Sequence, residues 1–156
     1  MTGEVRESMR FADHATPTEG SADVRNFNWL LSNFVETTAG VTDAVAVSSD
    51  GLLMAMSSTL ERAGAEQLAA IIAGMTSLGE STARCFALGS LDQVIVAMRD
   101  GFLFVSSVSD GSSLGVVADG RCDVGAVGYQ MQLLVERAGA SLSPALVAEL
   151  KEHVLQ

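Results

Sequence analysis

Lysine is almost missing from this 156-residue chain, which carries Lys151 alone, and histidine and cysteine occur only twice each. Each scarcity removes a class of chemistry. The one lysine follows no Gly-rich phosphate loop, and no GxGxxG follows an apolar run. His14 stands near one end of the chain and His153 near the other, so neither is placed as the general base of a serine or cysteine hydrolase. Two Cys and two His spread in this way do not make a four-ligand zinc site. Cys85 and Cys122 stand 37 residues apart with no motif around them. They read as ordinary thiols, with a redox pair as the alternative, and point to a reducing, cytoplasmic setting. Long apolar runs are absent as well. The longest, Leu68 to Met75, falls far short of the ~18–20 residues that span a bilayer. The first twenty-five residues hold no apolar stretch of the kind a signal peptide needs.

Basic charge is scarce too. Nine Lys and Arg against nineteen Asp and Glu leave a net charge of −10, which repels a phosphate backbone or an anionic membrane. What is present is apolar: 48% of the residues, enough for one well-packed domain without a disulfide or metal staple. No cofactor is expected.

Residues 1–25 carry eight charges and almost no large apolar groups, so they are expected to form a mobile tail. The folded domain is expected over 26–141, with a helical extension over 142–156. Phe27, Leu30, Leu31 and Phe34 share one helix face. Val41–Ser48 and Leu52–Ser57 then read as strands joined by Asp50-Gly51, a type I′ hairpin signal. A long helix is expected from about Leu60 to Phe86. Its predicted core face is Gly64, Leu68, Ile71, Met75, Leu78 and Thr82, and its predicted outward face Arg62, Glu66, Ala69, Ala73, Thr76 and Glu80. Three further strands, Leu91–Arg99, Phe102–Ser107 and Leu114–Ala118, follow with Asp-Gly turns. A helix capped by Asp123 and a short one opened by Ser143-Pro144 complete the chain. The fold class is therefore α+β, a five-stranded antiparallel sheet with helices on both faces, in the order α-β-β-α-β-β-β-α plus a C-terminal helix.

Asp50, Asp100, Asp110 and Asp119 could be metal ligands or paired carboxylates, but each sits where a turn asks for it. Two surfaces stand out instead. Val94-Ile95-Val96-Ala97-Met98 has no Lys, Pro or Gly, and is either a covered central strand or an unguarded sheet edge. Ala69 and Ala73 make the outward side of the long helix smooth, which suits either a solvated face or close helix packing. Ile72 on its flank is harder to reconcile with solvation. Together they suggest one self-association surface formed by Arg62, Glu66, Ala69, Ile72, Ala73, Thr76, Glu80, Val94, Val96 and Met98. Trp29 is a further candidate contact.

Phe27-Asn28-Trp29-Leu30-Leu31 and the run Ala44-Val45-Ala46-Val47-Ser48-Ser49-Asp50-Gly51-Leu52-Leu53-Met54-Ala55 resemble the opening of Roadblock (dynein light-chain roadblock) domains. Asp100-Gly101-Phe102-Leu103-Phe104-Val105 and Asp123-Val124-Gly125-Ala126-Val127-Gly128-Tyr129-Gln130-Met131 are similar to the actinobacterial branch encoded in conservon operons. Those operons also encode a Ras-like GTPase and a histidine-kinase-like sensor. The resemblance implies a roadblock/profilin-like fold. It implies a homodimer with paired third strands and adjacent long helices, on which a Ras-like small GTPase docks and has its nucleotide state modulated. It implies no catalytic group, with a membrane reached only through partners. The alternative function is a small-molecule sensor with a ligand between sheet and helix.

Overall fold

The computed structural model describes residues 18–155. The tail expected over 1–25 lies outside the described residues up to position 17, and His14 with it. From Thr18 onward that expectation is corrected, because a helix, α1 (Thr18–Thr37), begins there. Val24 extends the apolar spacing of Phe27, Leu31 and Phe34 backwards by one turn, and all four are buried. One buried valine in a polar stretch anchors two turns of helix that polarity alone would have left outside the fold.

β1 (Val41–Val47) and β2 (Leu53–Met56) form the first hairpin. The long helix α2 (Arg62–Cys85) follows, then β3 (Gln93–Met98), β4 (Gly101–Ser107) and β5 (Ser113–Asp119). Helices α3 (Val124–Ser141) and α4 (Pro144–Leu155) close the described chain. All strand pairs are antiparallel, in the order β2-β1-β5-β4-β3. The expected α+β architecture is present, and β3 is an edge strand.

The hairpin turns differ from the type I′ expectation. Gly51 and Gly111 have φ of 84° and 91°, whereas neither Asp50 nor Asp110 has positive φ. The N–H of Gly51 donates to Ser48 O at 3.0 Å, and the N–H of Ser48 donates to Leu52 O at 2.8 Å. Val108, Gly111 and Ser112 repeat the pattern. These are three-residue loops closed by a left-handed glycine, in which the Asp side chain organises the turn and the glycine alone takes the unusual φ.

Alternation along the strands sends side chains to two cores. Ala44, Ala46, Phe104, Leu114 and Val116 face α1, α3 and α4. Val45, Val47, Leu53, Leu103 and Val105 face α2. In α2 the buried residues are Ala65, Ala69 and Ile72, which corrects the expected orientation of this helix. Ala69, Ala73 and Thr76, expected to point outward, turn toward the sheet, whereas Gly64, Ile71, Leu78 and Thr82 of the expected core face are exposed. Arg62, Glu66 and Glu80 stay outward as expected. The reason is depth. Ile72 sits so close over Gly115 that a Cβ there would collide with the Ile72 Cδ1. The sheet surface already carries Val45, Val47, Leu103 and Val105, so the space above it admits alanines and one isoleucine and excludes a row of larger side chains.

Ala69→Glu should therefore destabilise the fold by about 3–5 kcal/mol through an uncompensated buried charge, whereas Ile71→Glu should leave stability nearly unchanged. Urea titrations of both variants check this, and equal midpoints for the two would contradict the helix orientation.

Candidate protein-interaction surface

Turning α2 in this way puts its large apolar side chains on the flank beside β3. Leu68, Val94 and Val96 pack on the same cluster. Near the C-terminal end of α2, Gly79 lies against Leu91 and Val94. Beyond these half-buried contacts the apolar surface continues into solvent. Leu78 is 72% exposed, Phe86 71%, Leu88 69%, Met98 53%, Ile95 46% and Ile71 44%. Ile95 alternates to the opposite face of β3. Exposed side chains as large as Ile71, Leu78, Phe86, Leu88 and Met98 on and beside one helix are more than a monomeric protein commonly leaves open to water.

The strand beside this band is unguarded. β3 pairs with β4 in unbroken register from Gln93↔Ser106 to Met98↔Gly101, so no bulge deflects it. It contains no Pro or Lys, and its outer backbone groups have no strand partner. Of the two readings of Val94–Met98, the edge is the one the fold adopts. Val94, Val96 and Met98 share the face toward α2, opposite Val105, Leu103 and Gly101.

The remaining candidates divide. Arg62 and Glu66 are exposed and form an ion pair at 3.1 Å. Glu80 is exposed nearer the other end of α2. Ala69 and Ile72 are buried on the sheet and leave the candidate surface. Ala73 is half-buried against Gly51, and the Thr76 hydroxyl lies 3.4 Å from that of Ser113, so both also turn inward. Small residues that do reach solvent on this helix include Ala63 and Gly64 in its first turn and Ala70, Gly74 and Ser77 along its middle. Trp29 is 63% exposed, but on α1, in the layer across the sheet from α2. It lines an open cleft of about 650 Å³ with Asn26, Arg137 and Leu146, between helices and not between helix and sheet.

Residue reasoning missed Ile71, Leu78, Phe86, Leu88 and Ile95 as surface. Ile71 and Leu78 had the right spacing for a core face. The signal against that assignment was the parallel stripe of Ala65, Ala69 and Thr76, which is the one able to lie flat on a β-sheet. Phe86-Ala87-Leu88, beyond the last turn of the helix, had no periodicity to reveal it.

The turn aspartates organise loops. Asp110 accepts from the Ser112 N–H at 2.9 Å and from its hydroxyl at 2.8 Å, and Asp119 accepts from the Arg121 N–H at 2.9 Å. Asp50 accepts from the Ser48 hydroxyl and, at 3.4 Å, from Lys151 Nζ. The Ser48 hydroxyl, helped by Lys151, holds the Asp50 carboxyl below its usual range. Burial pushes the Cys122 thiol up, and the charges of Asp119 and Asp123 raise it further, so this thiol has little thiolate character. Among the described residues no three His, Cys, Asp or Glu side chains gather in a metal-binding group. No described helix is long and apolar enough to cross a membrane.

Fold and surface define a class: a small α+β domain whose most developed feature is an apolar band beside an open sheet edge. The Roadblock/LC7 domain model matches residues 27–118, and the chain belongs to that family. A Roadblock/LC7 domain from Streptomyces avermitilis is 35% identical and superposes with a TM-score of 0.68, over 71% of this chain and 92% of that one. MglB of Myxococcus xanthus is 16% identical, with a TM-score of 0.68 over 74% of this chain and 93% of that one. The gliding protein MglB of Thermus thermophilus is 16% identical, with a TM-score of 0.65 over 85% and 93%. The last two share the fold. No curated protein matches the chain.

A depressed carboxyl stabilises the fold above the ordinary aspartate pKa of about 3.9, and the contribution is lost as pH falls through the lowered value. Carboxyl NMR titration should place Asp50 below the ordinary aspartate value of about 3.9. Ser48→Ala should raise it more than Lys151→Ala does, and the reverse order would contradict the assignment of causes.

Proposed function

We propose that this chain is a non-catalytic homodimeric scaffold that binds a Ras-like small GTPase and modulates its nucleotide state in a sensor-kinase-linked signalling complex in the cytoplasm. The observation that carries the proposal is the exposed band from Leu78 to Met98 lying alongside the open β3 edge. A two-fold axis beside β3 satisfies both features with one contact. Antiparallel pairing of β3 with its copy supplies the missing strand partner, and the same rotation sets the two α2 flanks side by side. Burying an exposed Leu, Ile or Met is worth up to about 1.5–3 kcal/mol per side chain, and the pair buries each of them twice. Part of that gain offsets the lost freedom of association.

The ridge that stays open over such a seam carries Ala70 and Gly74, flanked by Gln67 and Ser77, all exposed. Its low profile permits close approach by a partner's loop or helix. The exposed charges of Arg62, Glu66 and Glu80 stand toward its ends. A partner whose switch segments exchange between ordered and mobile states is shifted by a surface that prefers one of them. The Roadblock resemblance supplies the partner's class, and the turn roles of Asp50, Asp110 and Asp119 agree with a scaffold that contributes shape and no reacting group.

Light scattering should give twice the chain mass for the native protein. Ile71→Glu with Leu78→Glu should give the single mass at an unchanged melting temperature. Retention of the double mass by that variant would remove the α2 flank from the interface. Co-purification with a Ras-like small GTPase, loaded with GDP or a GTP analogue, should retain the partner in at least one state. Loss in both states would overturn the GTPase assignment.

A further inference from the structure

The sheet has two edges, and the chain treats them unequally. At β3, among the described residues, no strand pairs with the outer backbone. At β2, side chains of α1 occupy the ladder positions: Asn28 Oδ1 accepts from the Met56 N–H at 3.4 Å, and Ser32 Oγ accepts from the Ser58 N–H at 3.2 Å. The Ser57 N–H turns the other way and donates to Ala44 O at 2.8 Å, so the Met56 and Ser58 donors point outward, where a neighbouring strand would take them.

Helix α4 completes the cover. Leu146 and Leu150 are buried in the core shared with α1 and α3, whereas Val154 packs on the core beneath α2. A helix that touches the cores on both faces of one sheet passes around its edge, and α4 does so along β2. Lys151, the chain's one lysine, fastens it to Asp50 in the β1–β2 turn. The family match ends at residue 118, so α4 lies beyond it.

We propose that α4, with Asn28 and Ser32 of α1, seals the β2 edge against a second copy of this chain, so that self-association uses β3 only and stops at two copies. The occupant kept out is another β2 edge. Two such edges run antiparallel across a two-fold axis, and a dimer already paired at β3 would gain a second, open-ended site. The stop at two copies rests on the homodimer proposed above, whereas the sealing of β2 does not.

The test uses the full chain. Leu150→Asp places a charge where α4 enters the core and should release the helix. Light scattering over a hundredfold range of concentration should show species at twice the dimer mass or more, growing with concentration. Adding Met56→Pro removes an outward N–H without breaking the β1–β2 ladder, and should return the mass to that of the native protein. A folded Leu150→Asp variant that keeps the native mass would overturn the proposal. So would growth that the proline does not reverse, since that marks general stickiness of exposed apolar surface. Where Leu150→Asp lacks a cooperative melt, Lys151→Glu with Val154→Asp, both half-buried positions, takes its place. It should raise the heavier fraction at least fivefold, and an unchanged distribution would refute the sealing. A native protein that is single in solution sinks the dimer reading alone. In that case, growth of the α4-released variant that Met56→Pro reverses still supports the sealed edge, and absence of growth rejects it.

Discussion

The fit of Ile72 over Gly115 governs the rest of this molecule. A long helix can lie on a β-sheet only as closely as the side chains between them allow, and here the sheet contributes Val45, Val47, Leu103 and Val105. Ala65 and Ala69 take what room remains. With that stripe committed to the sheet, the 3.6-residue repeat leaves no choice about the others. Leu68, Ile71, Met75 and Leu78 are carried to one side, and that side is the β3 edge. The exposed band is thus a consequence of core packing. A bulkier residue at position 69 or 115 would lift or turn the helix and dissolve the band with it.

On the reading proposed above, the two sheet edges separate association from aggregation. At β2 the side chains of Asn28 and Ser32 accept the outward N–H groups, and α4 wraps the strand. At β3 the register is regular, the strand is six residues long and its side chains from Val94 to Met98 are apolar, all of which favour pairing. Edges in natural proteins are commonly blunted by charge, proline or bulges. An edge left bare beside apolar residues more than half exposed, such as Leu78 and Met98, is better explained by a partner than by neglect.

The carboxylates belong to a different layer of the design. Asp50, Asp110 and Asp119 accept hydrogen bonds from nearby backbone or hydroxyl groups and hold loops in shape. Their chemistry is spent locally, on turns at which the strands reverse. Asp50 adds one longer reach, through Lys151 to α4, so the first hairpin and the last helix are coupled by the only lysine the chain possesses.

Much of this was legible before any coordinates. Apolar spacing gave the helices and Asp-Gly pairs gave the strand ends, because both signals are local: one comes from the helical repeat, the other from the backbone freedom of glycine. The Roadblock resemblance was likewise present in contiguous residues. The start of α1 was hidden because a single buried valine carries it. The choice between two stripes of α2 was hidden for a deeper reason. Both stripes repeat with helical period, and hydrophobicity favours the wrong one. Only the height of the opposing sheet residues, brought together from β1, β4 and β5, decides which stripe fits. Local sequence determined what each segment is; the crowding of distant segments decided which way α2 faces, which edge stays bare and where another molecule can meet this one.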